Sequence, residues 1–250
     1  MSRPVFPHSD ACVAADDGDA LHFCSTCAFS QACLSQGVNK RELLDLHVLV
    51  EHTGPMQAGE HVFRKGDPFQ AIAAVRAGTV KTYVVDSDGR ERVLGFHLPG
   101  EVIGLDAIDG EHYPCNAIAL DTVALCRFSF PKIAQLATRM PGLQELLFRL
   151  LSRDIGTAMR LAGDWSADQR IAAFLLGLSQ RLASRGFSPR RFQLTMARTD
   201  IGNYLRLAPE TVSRVLKRFQ DDGLLAVDRR EVDLTDMPRL EALAAPILRS

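Results

Sequence analysis

The sequence predicts an α+β protein with an antiparallel β-roll in its N-terminal half, a long helix, and a winged helix-turn-helix at its C-terminus. Between positions 54 and 130, short β-branched and aromatic runs alternate with turn residues, and nine glycines fall between positions 54 and 110. Leucines then recur at three- and four-residue steps from Leu143. Two short amphipathic segments separated by a tight turn follow in residues 199–220. The predicted boundaries are 1–40 for an N-terminal segment, 41–131 for the β-roll, 132–166 for the long helix and linker, and 167–250 for the winged helix-turn-helix.

The N-terminal half yields two local predictions. Residues 39–52 (NKRELLDLHVLVEH) predict a short amphipathic helix, because Leu43, Leu46 and Val50 would share one face. Within the β-rich region, Asp88-Gly89 stands between two strand-like runs and is typical of a hairpin turn.

The long helix carries an apolar stripe that suggests a partner. Such a stripe is often only the side that faces the core. Here it joins two domains and is longer than either would cover, which favours pairing with the same helix of a second copy. The predicted dimerisation residues are Leu143, Leu147, Leu150, Leu151 and Ile155.

The C-terminal part predicts four elements in order. Residues 167–186 form an amphipathic helix that ends at Gly186. Thr199 is expected to cap the first short helix, and Pro209 fits the first turn of the second. The runs LLAV and EVDL near the end predict a two-stranded wing.

Charge is distributed unevenly along the chain. The net charge is −1 overall, but residues 1–166 carry −5 and residues 167–250 carry +4. Positions 181 to 218 contain nine basic residues and only two acidic ones, Asp200 and Glu210, which gives this stretch a net charge of +7. This is either a solvated basic face or the footprint of a phosphate backbone. The second short helix favours the DNA-binding interpretation, because the residues expected to point outward can contact base edges or phosphates. These residues are Glu210, Ser213, Arg214 and Lys217.

The cysteines form a second constellation. Cys24-x2-Cys27-x5-Cys33 lies near the N-terminus and Cys126 at the end of the β-rich region. Four thiolates can hold an iron–sulfur cluster or structural zinc. Zinc sites more often use two short Cys-x2-Cys knuckles, so the spacing favours iron–sulfur while leaving zinc open. Cys12, in the polar tail, has no expected role, and Cys115 is expected to be a small packing residue.

The run Glu210-Thr211-Val212-Ser213-Arg214 closely resembles the recognition region of the CRP/FNR family, the relatives of the cyclic-AMP receptor protein and of the fumarate and nitrate reduction regulator. The resemblance extends over nearly the whole chain beyond residue 20, including FRKGDP, GFHLPGEVIGLDAI and ALDTVALC. It implies a cyclic-nucleotide-binding-like β-roll. It also implies that Glu210, Ser213 and Arg214 read a palindromic TTGAT–ATCAA type site, with Thr211 and Lys217 beside them. Two positions depart from the family: Arg206, where many members have glycine, and Ala208, where many have Ser or Thr.

The same resemblance implies the effector. Cys24, Cys27, Cys33 and Cys126 match the ligand positions of a [4Fe–4S] cluster that oxygen converts to [2Fe–2S] and then removes, so residues 1–40 would be the cluster-binding segment. With the cluster present, a homodimer would bind DNA and control anaerobic genes. A cyclic nucleotide is not expected, because Gly104-Leu105-Asp106 and Pro114-Cys115 lack the glutamate and arginine that hold it. The family also places a contact with RNA polymerase at Gly89 and Arg90.

Several other classes are disfavoured. An iron–sulfur redox enzyme would need a substrate pocket or a second redox centre, and no motif suggests either, so the chain is not expected to be an enzyme. A zinc-stabilised, constitutive DNA-binding protein stays as the alternative. No apolar run is long enough for a membrane span, and the acidic N-terminus is unlike a signal peptide, so a cytoplasmic location is expected.

Overall fold

The computed structural model describes residues 49–248. The predicted helix at 39–52 lies mostly outside this range, and its last residues are not helical. Val50–Met56 instead form strand β1, in which Val50 pairs with Phe128 and Glu51 with Arg127. The helical interpretation of these residues was wrong, because pairing with a neighbouring strand overrides a local apolar period.

Within residues 49–131 the chain forms two four-stranded antiparallel sheets, as expected for a β-roll. The strand orders are β1-β8-β3-β6 and β2-β7-β4-β5. The strands after β1 are β2 (His61–Phe63), β3 (Ala71–Ala77), β4 (Val80–Val85), β5 (Glu91–His97), β6 (Val102–Ile103), β7 (Asn116–Ala119) and β8 (Val123–Ser129). The α+β fold class is confirmed.

The turn between β4 and β5 is the predicted hairpin. Gly89 has φ 77, a left-handed conformation that glycine adopts without strain. The Asp86 carboxylate accepts hydrogen bonds from the backbone amides of Asp88 at 2.9 Å and Arg90 at 3.0 Å. These bonds hold the tip of the hairpin in one shape.

The two faces of β8 belong to two apolar cores. Val123 and Leu125 face the interior between the sheets, whereas Cys126 and Phe128 lie on the outer face of the first sheet. Helices α1 (Phe130–Ala137) and α2 (Pro141–Ala162) follow β8, and their apolar residues complete the core that contains Cys126 and Phe128. The long helix therefore packs on the sheet face that carries Cys126.

The C-terminal part is a winged helix-turn-helix. Its elements are α3 (Ala167–Ala183), β9 (Arg191–Gln193), α4 (Arg198–Leu205), α5 (Pro209–Asp221), β10 (Leu225–Asp228), β11 (Glu231–Leu234) and α6 (Met237–Leu248). Ser166 and Gln169 cap α3 reciprocally. The regular helix ends at Ala183, and the chain reverses through Gly186 with φ 79.

Two details differ from the sequence-based expectation. Ala197, and not Thr199, precedes the first turn of α4, so Thr199 lies inside the helix and does not cap it. The last helix, α6, was not predicted; it packs against α3, and its Leu240 and Ala244 are fully buried.

The β-roll and the helix-turn-helix share one apolar core, because Val93 and Phe96 of β5 belong to the same buried cluster as residues of α3, α4 and α5. Polar contacts reinforce this interface. The Asn203 side chain accepts from the Val93 amide at 2.8 Å and donates to the Glu91 carbonyl at 2.6 Å. Lys81 bridges the carboxylates of Glu91 and Asp200 at 2.9 and 3.0 Å. The first helix of the helix-turn-helix is thus fastened to the β4–β5 hairpin.

None of the helices in residues 49–248 has the length and apolar character needed to cross a bilayer.

Candidate nucleic-acid interface and cysteine site

Helix α5 has one buried and one exposed face. The buried face consists of four apolar residues, Val212, Val215, Leu216 and Phe219. Pro209 occupies the first turn and needs no amide partner there. This packing fixes which residues point away from the protein.

The exposed face carries the predicted DNA-contacting residues. Glu210, Ser213, Arg214 and Lys217 are exposed, and Thr211 is half-buried beside them. Their own contacts are local: Arg214 donates to the Thr211 hydroxyl at 3.3 Å, and Lys217 pairs with Asp221 at 2.7 Å. Such exposed pairs contribute little stability, so these groups can exchange them for base edges or phosphates. Their role in DNA binding remains a prediction.

The turn before α5 shows why two sequence positions are unusual. Arg206 has φ 56 and ψ 44, a left-handed conformation that glycine adopts with less strain than arginine. A Cβ on Gly202 would lie 2.7 Å from the Leu207 carbonyl oxygen, so only glycine lets α4 and α5 approach this closely. Ala208 precedes α5 and makes no side-chain capping bond.

Three further basic residues of the helix-turn-helix domain were not singled out from the sequence: Arg198, Arg229 and Arg230. Arg229 and Arg230 form the turn between β10 and β11 and are exposed at the tip of the wing. Their position could have been predicted, because they stand between the strand-like runs LLAV and EVDL. In α4, Nη1 of Arg198 is buried and has no hydrogen-bond partner within residues 49–248. Burial lowers the pKa of Arg198. An anion bound next to Arg198 would supply the missing hydrogen-bond acceptor. Arg229 and Arg230 could interact in the same way with the phosphates of a DNA backbone.

The structure locates one of the four predicted cluster ligands. Cys126 is buried in β8, and its sulfur lies 3.6 Å from Nδ1 of His52 on the paired strand β1. Cys24, Cys27 and Cys33 lie outside the described residues, so the four-thiolate site remains a prediction. Residues 49–248 bring no three His, Cys, Asp or Glu side chains close enough to hold a metal by themselves.

Cys115 has the packing role that the sequence suggests. It is buried, and its thiol donates a hydrogen bond to the Asp106 carboxylate at 3.2 Å. Burial, aided by the Asp106 charge, raises the pKa of the thiol far above its usual range. Cys115 therefore stays protonated. Cys12 lies outside the described residues.

Helix α2 divides the predicted dimerisation residues into two groups. Leu143 and Leu150 are buried in the core of their own chain, with Leu147 and Leu151 partly buried beside them. Ile155 is 62% exposed. Two further apolar side chains on α2, Phe148 and Met159, are 61% and 71% exposed. The surface open to a partner is thus the strip Phe148, Ile155 and Met159, of which Phe148 had escaped notice because it lies off the leucine stripe.

Gly89 and Arg90, the predicted polymerase-contacting residues, are both exposed at the hairpin tip. That position permits a contact but does not test it.

Comparisons with known proteins define the class. Residues 55–140 match the cyclic nucleotide-binding domain family, and residues 169–243 match the Crp-like helix-turn-helix domain family. A cyclic-nucleotide-binding-like β-roll joined to a Crp-like helix-turn-helix is the architecture of a transcriptional regulator and not of an enzyme.

Individual relatives narrow the class. The chain is 42% identical to the fumarate and nitrate reduction regulatory protein of Salmonella typhi, over 91% of this chain and 92% of the relative. It is also 42% identical to the transcriptional activator protein anr of Pseudomonas aeruginosa, over 88% and 92%. The structure of FixK2 from Bradyrhizobium japonicum matches with a TM-score of 0.69 and 29% identity, over 78% of this chain and 96% of that one. The chain belongs to the CRP/FNR family of transcriptional regulators, which confirms the resemblance found in its sequence.

Proposed function

We propose that this regulator senses oxygen through a [4Fe–4S] cluster held by Cys24, Cys27, Cys33 and Cys126, and that it binds a TTGAT–ATCAA-like palindrome as a homodimer to control anaerobic genes. One observation carries the proposal. Cys126 belongs to the same apolar core as Leu143 and Leu150 of α2, so a change at its sulfur would alter the core against which the helix proposed to pair is packed.

The donor chemistry fits an iron–sulfur cluster. Cysteine thiolates are its usual ligands, and when bound it supplies an oxygen-labile centre. Val50, the first residue of β1, lies seventeen positions after Cys33, and β1 is the strand that pairs with the Cys126 strand β8. An extended segment of that length spans up to about 56 Å, so chain length does not prevent the N-terminal cysteines from reaching Cys126.

Helix α2 would pass the state of the site to the dimer. Its buried residues pack on the sheet that carries Cys126, and its exposed strip Phe148, Ile155 and Met159 is open to a second copy. Pairing two α2 helices would place two α5 helices on successive major grooves, which explains a palindromic site.

The recognition residues would divide the work of reading that site. Arg214 can donate two hydrogen bonds to guanine, and Glu210 can accept from the amino group of cytosine. Ser213 can contact a base edge or a phosphate. Gly89 and Arg90 would meet RNA polymerase, which predicts that Arg90→Ala lowers transcription from a bound promoter without lowering occupancy.

Metal analysis after anaerobic purification tests the proposal. Cys115→Ser is expected to contain as much iron and acid-labile sulfide as the wild type, because Cys115 is a packing residue. Cys126→Ser is expected to lose both. Zinc in place of iron would support the constitutive alternative, and a metal-free protein that binds DNA equally with and without air would refute both cofactor assignments.

A further inference from the structure

We propose that His52 is a positioning residue for the cluster: its Nδ1–H donates a hydrogen bond to the sulfur of Cys126 and slows loss of the cluster in oxygen. This inference rests on the proposed function, because it concerns Cys126 as a cluster ligand.

The register of the first sheet places the two side chains together. His52 on β1 pairs directly with Cys126 on β8. Side chains of a cross-strand pair lie on the same face, and here Nδ1 is 3.6 Å from the sulfur. That distance is within the range for a hydrogen bond to sulfur.

Three flanking residues, Glu51, Arg127 and Ala74, do not stand between the imidazole and the sulfur. Glu51 and Arg127, one step along each strand, point to the opposite face and pair with each other at 3.6 Å. Ala74 of β3, the partner of Cys126 on its other side, has no polar side-chain atom. The imidazole is exposed on the edge strand, so it can turn to whichever sulfur position ligation requires.

The effect of the bond follows from charge. A ligating thiolate carries negative charge, and an N–H donor withdraws electron density from its sulfur. Hydrogen bonds to the sulfurs are among the factors that set the reduction potential of iron–sulfur clusters. A donor at Cys126 favours the more reduced cluster and so opposes its oxidation.

A matched pair of substitutions isolates the donor atom. In His52→Asn, the amide nitrogen occupies nearly the place of Nδ1, whereas His52→Leu has almost the same shape as asparagine but no donor. His112→Ala is the control, since His112 is another exposed histidine of the β-roll. Each protein is reconstituted anaerobically, its midpoint potential is measured, and its visible absorbance is followed after a fixed dose of air-saturated buffer.

His52→Leu is expected to lose its colour about tenfold faster than the wild type and to have a lower midpoint potential, in line with the effect of other outer partners of metal ligands. His52→Asn and His112→Ala are expected to behave like the wild type. A leucine variant that fails to bind the cluster, beside an asparagine variant that binds it, also supports the donor role.

Three results overturn the inference. Equal bleaching rates and potentials for His52→Leu and the wild type would show that the bond has no effect. If the leucine and asparagine variants both bleached faster than the wild type and at the same rate, the effect would belong to the imidazole ring and not to a hydrogen-bond donor. Loss of the cluster from both variants would indicate that His52 is itself a ligand. In each case a brown wild-type protein keeps the proposed function intact; a wild type that binds no cluster overturns both.

Discussion

Arg206 occupies a backbone conformation that suits glycine better than arginine, with φ 56 between α4 and α5. An L-residue with a side chain pays about 1–2 kcal/mol there, offset in part by the greater freedom of glycine in the unfolded chain. Arg206→Gly is therefore expected to raise the free energy of unfolding by about 0.5–1 kcal/mol, measured by urea denaturation.

Lys217→Gly is the contrast, because Lys217 lies inside α5, where glycine destabilises a helix by about 1 kcal/mol. If Arg206→Gly were as destabilising as Lys217→Gly, the turn would not be strained.

Glu101 is a buried carboxylate at the interface between the β-roll and α3. Burial by itself would raise its pKa, but the charge and hydrogen bonds of Arg181, with the Leu98 amide and Arg185, lower the pKa from its usual 4.5 to about 2. Nε of Arg181 lies 2.8 Å from the carboxylate. Because the folded pKa is the lower one, the ionised group stabilises the fold above pH 4.5, and this stabilisation is lost as the pH falls towards 2.

Glu101→Gln leaves Arg181 without its counter-charge and is expected to lower the free energy of unfolding at pH 7 by about 2–3 kcal/mol. The difference in unfolding free energy between Glu101→Gln and the wild type, measured by urea denaturation, should become smaller as the pH falls from 5 to 3. A difference that does not change with pH would mean that shape, and not charge, matters at this position.

At this scale the sequence predicted what depends on near neighbours. The family resemblance singled out Arg206 as an unusual residue in its turn, and the position of Cys115 in the β-rich region indicated a packing role. The Glu101–Arg181 pair could not, because its partners are 80 residues apart and meet only when the two domains pack.

Substitutions in helix α5 can separate the recognition of DNA bases from the electrostatic attraction to the phosphate backbone. Arg214→Ala is expected to cost about 1–3 kcal/mol on the palindromic site and to relax the preference at one base pair. Lys217→Ala is expected to weaken binding to all sequences alike and to reduce the log–log salt slope by about 1. Binding titrations on the palindrome and on base-substituted duplexes, at several salt concentrations, measure both. Identical profiles for the two variants would contradict the assigned roles.

Helix α2 offers a second matched pair. Ile155→Glu places a charge on an exposed strip, so it is expected to convert the dimer to monomer in sedimentation experiments while leaving the unfolding free energy of the monomer nearly unchanged. Leu150→Ala removes a side chain that is only 6% exposed, and is expected to lower that free energy by about 2–5 kcal/mol. A dimeric Ile155→Glu protein would place the interface elsewhere.

The elements show which sequence patterns are reliable. The hairpin, the amphipathic α3 and the two helices of the recognition unit were predicted because turn residues and apolar period agree there. Residues 50–52 were misassigned because their apolar spacing fits a helix, yet strand pairing decides their structure. Helix α6 was overlooked because Pro246 interrupts its sequence, although its buried face packs on α3.

At the scale of the whole molecule, the β-roll and the helix-turn-helix are packed together within residues 49–248. Asn203, Lys81 and the shared apolar core fasten α4 to the β4–β5 hairpin, while Cys126 and α2 share another core. A change at Cys126 would therefore reach the helix proposed to pair through the apolar core that the two share. This arrangement was not predictable from sequence spacing, since it depends on which face of each sheet receives a helix.

The central claim is that one labile iron–sulfur centre sets operator occupancy, and the most direct measurement is a stepwise oxygen titration of the anaerobic protein. Visible absorbance and binding to the palindromic duplex are recorded on the same sample after each addition. Absorbance and occupancy are expected to fall together, with Cys126→Ser showing neither colour nor tight binding from the start. Occupancy that stays constant while the colour disappears, or a Cys126→Ser protein that binds as tightly as the anaerobic wild type, would contradict the account.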